Sequence, residues 1–81
     1  MIIEIFGTDD CSFCDKAKEL VKELQTCNSI EITLHTYNVE DNPMNFNQKF
    51  PGAVTVPQIT IDGSWIGGFS DFELMMKGAE T

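Results

Sequence analysis

Apolar residues recur along this chain with two periods, and the switches between them mark its elements. Ile2 to Phe6 is apolar except at Glu4 and reads as a buried strand. Over residues 12 to 26 the spacing becomes helical. Phe13, Ala17, Leu20, Val21 and Leu24 share one stripe, while Lys16, Lys18, Glu19, Lys22 and Glu23 face water. Ile30 to Val39 is rich in β-branched and aromatic residues, with Ile30, Ile32 and Leu34 alternating, and reads as a second strand. Asn42-Pro43 opens a short helix, Asn as cap and Pro at the first position. Phe46 and Phe50 then lie a turn apart, and Pro51-Gly52 ends it. Gln58–Ile61 and Ser64–Gly67 flank Asp62-Gly63, a two-residue hairpin signal. That register sets Thr60 opposite Trp65, and Ile59 opposite Ile66 on the other face. Ser70-x-x-Glu73 has the form of a capping box, with Phe69 stapling against Leu74. The last helix is therefore expected from Ser70 or Asp71 to about Lys77. The order βαβαββα predicts an α/β fold with a four-stranded mixed sheet and three helices. The first two strands are parallel and the last two antiparallel.

Composition narrows the function. The 81 residues form one expected domain, 1–81, without repeats or linkers. Acidic residues outnumber basic ones 13 to 5, for a formal charge of −8. That argues against nucleic acid or an anionic membrane as partner. No stretch approaches the ~20 apolar residues of a membrane span. The first six residues lack the basic start and apolar length of a signal peptide. Three cysteines fit poorly with a secreted disulfide framework, so a reducing, cytoplasmic location is expected.

The candidate chemistry sits in Cys11-Ser12-Phe13-Cys14, between the first strand and the first helix. A helix N-terminus favours an anion, and the thiolate is the nucleophilic form of cysteine. Cys11, nearer the helix start, is the more exposed of the two. Cys14, three residues later on the same face, can attack a mixed disulfide formed at Cys11. A zinc site would need two more ligands, and only Cys27 and His35 are at hand. An inert structural pair is the other alternative, and redox chemistry is favoured over both.

Three separated motifs carry a resemblance: the C-x-x-C after a strand, Thr55-Val56-Pro57 before a strand, and Gly67-Gly68-Phe69-Ser70-Asp71 before the last helix. From end to end the chain resembles a glutaredoxin, a small member of the thioredoxin-like superfamily. The resemblance implies a thioredoxin-like fold and a glutathione-dependent thiol–disulfide oxidoreductase. Cys11 would be the nucleophile and Cys14 the resolving thiol, with glutathione as reductant and co-substrate. The implied glutathione contacts are Phe13, Thr55, Val56, Pro57, Gly68, Phe69, Ser70 and Asp71. The Val56–Pro57 bond is cis in the family, and the Val56 backbone would pair with the cysteinyl part of the ligand. The Ser70 and Asp71 N–H groups would receive the γ-glutamyl carboxylate, and the Asp71 carboxylate its ammonium. Gln48 or Lys49 is a loose match for the glycyl carboxylate. Implied partners are disulfide-bearing proteins, ribonucleotide reductase being a common client of the family, and the expected state is a monomer.

Three departures stand out. Ser12 and Phe13 replace the family's usual proline and tyrosine, and Thr8 stands where a basic residue is common. Relatives without that proline tend to hold a [2Fe–2S] cluster between two subunits, so a cluster carrier is a secondary reading, although no metal is expected. A thioredoxin-like donor reduced by a flavoprotein is the other rival. Asp9, Asp10 and Asp15 oppose the helix terminus, so the Cys11 thiol is expected to be less acidic than in relatives with the basic residue. Cys27 is read as a buried spectator and His35 as a solvent-facing strand residue.

Overall fold

The computed structural model describes residues 1–27 and 31–78. Seven elements run in order: β1 (Ile2–Gly7), α1 (Ser12–Cys27), β2 (Thr33–Asn38), α2 (Pro43–Lys49), β3 (Gln58–Ile61), β4 (Ser64–Gly67) and α3 (Phe69–Gly78). They form the expected βαβαββα order and one mixed sheet, ordered β2-β1-β3-β4. β1 runs parallel to β2 and antiparallel to β3, which pairs antiparallel with β4.

Strand periodicity sorts the core into two layers. Ile3 and Ile5 of β1 lie opposite Ile61 and Ile59 of β3 and face α1 and α3. Ala17, Leu20 and Val21 from α1, and Phe72 from α3, close this main core. Each fully buried aliphatic or aromatic side chain here contributes roughly 1.5–3 kcal/mol. On the other face, Phe6 meets Phe46 of the short α2 and Phe50, the residue that caps its C-terminus. The Phe6 and Phe50 rings pack edge-on with centroids 5.0 Å apart, and Trp65 tilts against Phe50 at 5.2 Å. The α2 start is as read: the Asn42 side chain accepts from the Asn45 N–H, and Pro43 occupies the first turn.

The structure differs from the sequence reading at four places. Phe13 is absent from the buried stripe and is 52% exposed, while Cys14 takes its place at 1%. Helical spacing does not separate the two, because 13 is spaced from 17, 20 and 24 as 14 is from 17, 21 and 24. In the first turn the Phe13 ring packs toward Phe69, while Cys14 seats against Gly7. The hairpin turn holds Asp62 and Gly63 at positive φ, 50° and 86°, and sets Thr60 opposite Trp65 as predicted. A bulge then makes Gly67, and not Ile66, the partner of Ile59. α3 starts at Phe69, earlier than expected, because the Gly68 carbonyl accepts the first helical bond, from the Phe72 N–H at 3.1 Å. Leu74 is 73% exposed, so the Phe69–Leu74 staple does not form, and Glu73 pairs instead with Lys77 at 3.5 Å. Finally, β2 is shorter than Ile30–Val39 and largely exposed, as suits an edge strand. Ile30 and the side chain of Cys27 lie outside what is described.

Candidate redox site

β1 ends at Gly7 and a tight turn through Asp9 and Asp10 delivers the chain to α1. Cys11 is the N-cap of that helix. Its carbonyl accepts the first helical bond, from the Asp15 N–H at 3.2 Å, and its sulfur accepts from the Cys14 N–H at 3.1 Å. A capping Ser or Asp does this with oxygen. Sulfur in that position meets a backbone donor and the positive end of the helix together, which favours the thiolate. Cys11 and Cys14 are joined as a disulfide with Cα atoms 5.1 Å apart. Cys11 is half-buried, and Cys14 lies beneath it against Gly7.

Val56, in the loop before β3, faces the pair. The Val56–Pro57 peptide is cis, and the Val56 carbonyl oxygen lies 3.8 Å from the Cys11 sulfur. Among the described residues Val56 has no backbone hydrogen bond to another segment, so its edge is open. A short network holds this loop. The Trp65 indole N–H donates to Gln58 Oε1 at 2.9 Å, which fixes the amide's orientation. Gln58 Nε2 then donates to the Thr55 carbonyl at 3.0 Å.

A cleft of about 480 Å³ opens beside Cys11. Its walls are Phe13, Thr55, Val56, Pro57, Gln58, Gly67, Gly68, Phe69, Ser70 and Asp71. Phe13 and Phe69 face each other with ring centroids 6.0 Å apart, and the Lys16 ammonium lies 5.0 Å from the Phe13 ring centroid. Gly67 has φ 130° and sits so close to Asp71 that an added Cβ would lie 3.0 Å from the Asp71 carboxyl carbon. A Cβ on Gly68 would reach 3.4 Å from the Pro57 carbonyl oxygen. Both glycines let three segments converge. Ser70 and Asp71, in the first turn of α3, present backbone N–H groups at the far end.

All eight residues singled out beside the cysteines line this one cleft. Gln58 escaped the sequence reading, because nothing in a lone Gln after proline signals a buried amide. Gln48 and Lys49 are elsewhere: neither lines the cleft, and the Lys49 ammonium sits 5.4 Å from the Phe6 ring centroid. His35 is exposed on β2, opposite Glu4. Cys27 ends α1, ~20 Å beyond Cys14 at the helical rise. Zinc held jointly with Cys14 is thereby ruled out on distance.

The sequence model of the glutaredoxin family matches residues 3–66. The chain belongs to the glutaredoxin family. Glutaredoxin 1 of Salmonella typhimurium is 36% identical over 81 residues, spanning 95% of this chain and 92% of its own. The reduced glutaredoxin of Escherichia coli superposes with a TM-score of 0.82 at 29% identity, covering 96% of this chain and 95% of the other. A buckwheat glutaredoxin–glutathione complex shares the fold at a TM-score of 0.70 and 23% identity, covering 94% of this chain and 69% of the other. As a glutaredoxin, the chain is a thiol–disulfide oxidoreductase on a thioredoxin-like fold, with Cys11–Cys14 as its redox-active pair.

Proposed function

We propose that this chain is a dithiol glutaredoxin that draws its electrons from glutathione and reduces both protein disulfides and glutathione mixed disulfides. The observation that carries the reading is the cleft whose walls join the open Val56 edge, 3.8 Å from the Cys11 sulfur at its carbonyl oxygen, to the N-terminus of α3. Its parts match an extended γ-glutamyl peptide. The Val56 backbone would pair with the cysteinyl unit as an added strand. The Ser70 and Asp71 N–H groups would take the γ-glutamyl carboxylate, and the Asp71 side chain the ammonium. Thr55, Pro57, Gly68, Phe13 and Phe69 would shape the walls. The glutathione found in the buckwheat relative is consistent with this reading.

The cycle conserves atoms and electrons. The Cys11 thiolate attacks a substrate disulfide, forms a mixed disulfide and releases one thiolate. Cys14 attacks the Cys11 sulfur, closes the internal disulfide and releases the second. One glutathione thiolate reopens the pair at Cys11, and a second removes the first as glutathione disulfide. The formal charge of −8 disfavours nucleic acid and anionic membranes as partners. Among the described residues no helix is long and apolar enough to cross a membrane, and the proposed location is the cytoplasm. A [2Fe–2S] cluster shared between two subunits through Cys11 and glutathione is the second reading, and visible absorbance after anaerobic purification would favour it.

The test compares reductants on one disulfide protein. Glutathione with its reductase is expected to support turnover, and thioredoxin reductase to support little. The reverse result would establish the flavoprotein-reduced rival. Cys11→Ser is expected to abolish all turnover. Cys14→Ser is expected to keep reduction of a glutathione mixed disulfide, which needs Cys11 alone, and to lose most protein disulfide reduction. Activity surviving in Cys11→Ser would reverse the assignment.

A further inference from the structure

The redox pair has a second opening. On the β2 side of β1, away from β3, a polar cleft of about 270 Å³ is lined by Gly7 and Cys14, with Thr8, Asp9, Lys18 and Asp41 around them. It shares no lining residue with the cleft beside Cys11. Cys14 is 1% exposed, yet it forms part of this wall. The resolving step needs Cys14 as a thiolate, so a buried thiol must lose its proton, and burial in apolar surroundings opposes that. The second cleft is the polar volume that Cys14 reaches.

One cation serves it. Lys18 follows Cys14 by one helical turn, so the two share a face of α1. Helical side chains lean toward the N-terminus, which lays the Lys18 stem over the Cys14 turn. Lys18 is half-buried, and among the described residues no carboxylate lies within ion-pair distance of it. The other charged groups facing the cleft are Asp9, from the turn after β1, and Asp41, from the turn after β2, both exposed. The Tyr37 phenol of β2 also lines it. Without Lys18, a Cys14 thiolate would face two carboxylates and no cation.

We propose that this cleft is the proton outlet of the resolving step and that Lys18 is the positioning residue that holds Cys14 as the attacking thiolate. The Cys14 proton passes to water in the cleft. The Cys14 thiolate then bonds to the Cys11 sulfur, the Cys11–substrate S–S bond breaks, and the electron pair leaves with the substrate thiolate. The step is common to every disulfide substrate and does not depend on glutathione.

Ellman's reagent tests it, using the reduced full chain carrying Cys27→Ala so that one pair reports. Attack by Cys11 releases a first nitrothiobenzoate anion, and resolution by Cys14 releases a second. In Lys18→Gln the second release is expected to be about tenfold slower at neutral pH, with its pH profile displaced upward by about one unit. Lys18→Arg is expected to restore the wild-type profile. A second phase in Lys18→Gln that superposes on wild type at every pH would overturn the proposal. So would Lys18→Arg as slow as Lys18→Gln, since the stem's packing and not its charge would then matter.

Discussion

Gly7 matters to the redox centre through what it lacks. A Cβ on Gly7 would overlap the Cys14 sulfur and lie 3.3 Å from the Cys14 Cβ. Cys14 has little room to yield, being on the first turn of α1 and tied to Cys11. Gly7→Ala is therefore expected to cost ~1–3 kcal/mol by overpacking. For a chain of this size each kcal/mol lowers Tm by about 4–8 °C. Protein disulfide reduction, which needs Cys14 in place, should fall further than reduction of a small mixed disulfide. An unchanged Tm with unchanged rates would mean that β1 shifts to make room. Neither Gly7 nor Gln58 was legible beforehand, since a strand glycine and a polar residue after proline have many bland uses. Cys11 and Cys14 were legible because two thiols at a strand-to-helix junction have few.

At the scale of elements, local signals held where a local hydrogen bond enforces them. Asn42 caps α2 and Asp62-Gly63 turns the hairpin. They failed where two elements compete for one residue. The Ser70-x-x-Glu73 box yields to a start at Phe69 because the β4 bulge carries Gly67 and Gly68 directly into α3. The β1–β2 pair offers a test of cross-strand contact. Glu4 lies diagonal to Tyr37, opposite His35. A hydrogen bond to Glu4, then desolvation and the Glu4 charge, raise the Tyr37 phenol above its ordinary 10.0. A raised value in the folded state means that the contact stabilises the fold below the ordinary value and is lost as pH rises through the folded one. Tyr37 is the chain's one tyrosine, so its ultraviolet titration reads this group alone. The midpoint is expected above 10.0, and Glu4→Gln should bring it down. A native midpoint equal to that of the unfolded chain would show that Glu4 does not reach the phenol.

At the scale of the whole molecule, the formal charge of −8 sets the terms of encounter. Asp9 and Asp10 are exposed beside the redox pair and add to a field that repels anionic substrates. At an effective dielectric of 20, unit charges ~10 Å apart interact by roughly 1.7 kcal/mol before screening. Replacing both by Asn is expected to raise kcat/KM for a glutathionylated peptide by about threefold at low salt. The gain should shrink as the screening length falls from ~10 Å at 0.1 M to ~3 Å at 1 M ionic strength. No gain at low salt would make the two carboxylates a solvated turn and nothing more.

What the sequence determined by itself was the set of parts: the βαβαββα order, the thiol pair, and the loops that accompany it. Each rests on short-range physics, whether periodicity, capping, turn geometry or the spacing of two sulfurs. Tertiary structure alone decided how those parts meet. It turned Phe13 out toward Phe69, seated Cys14 on Gly7, set the Val56 edge 3.8 Å from the Cys11 sulfur, and opened separate clefts on the two sides of β1. Those contacts join residues tens of positions apart, and packing against a shared sheet, which no local pattern encodes, is what fixes them.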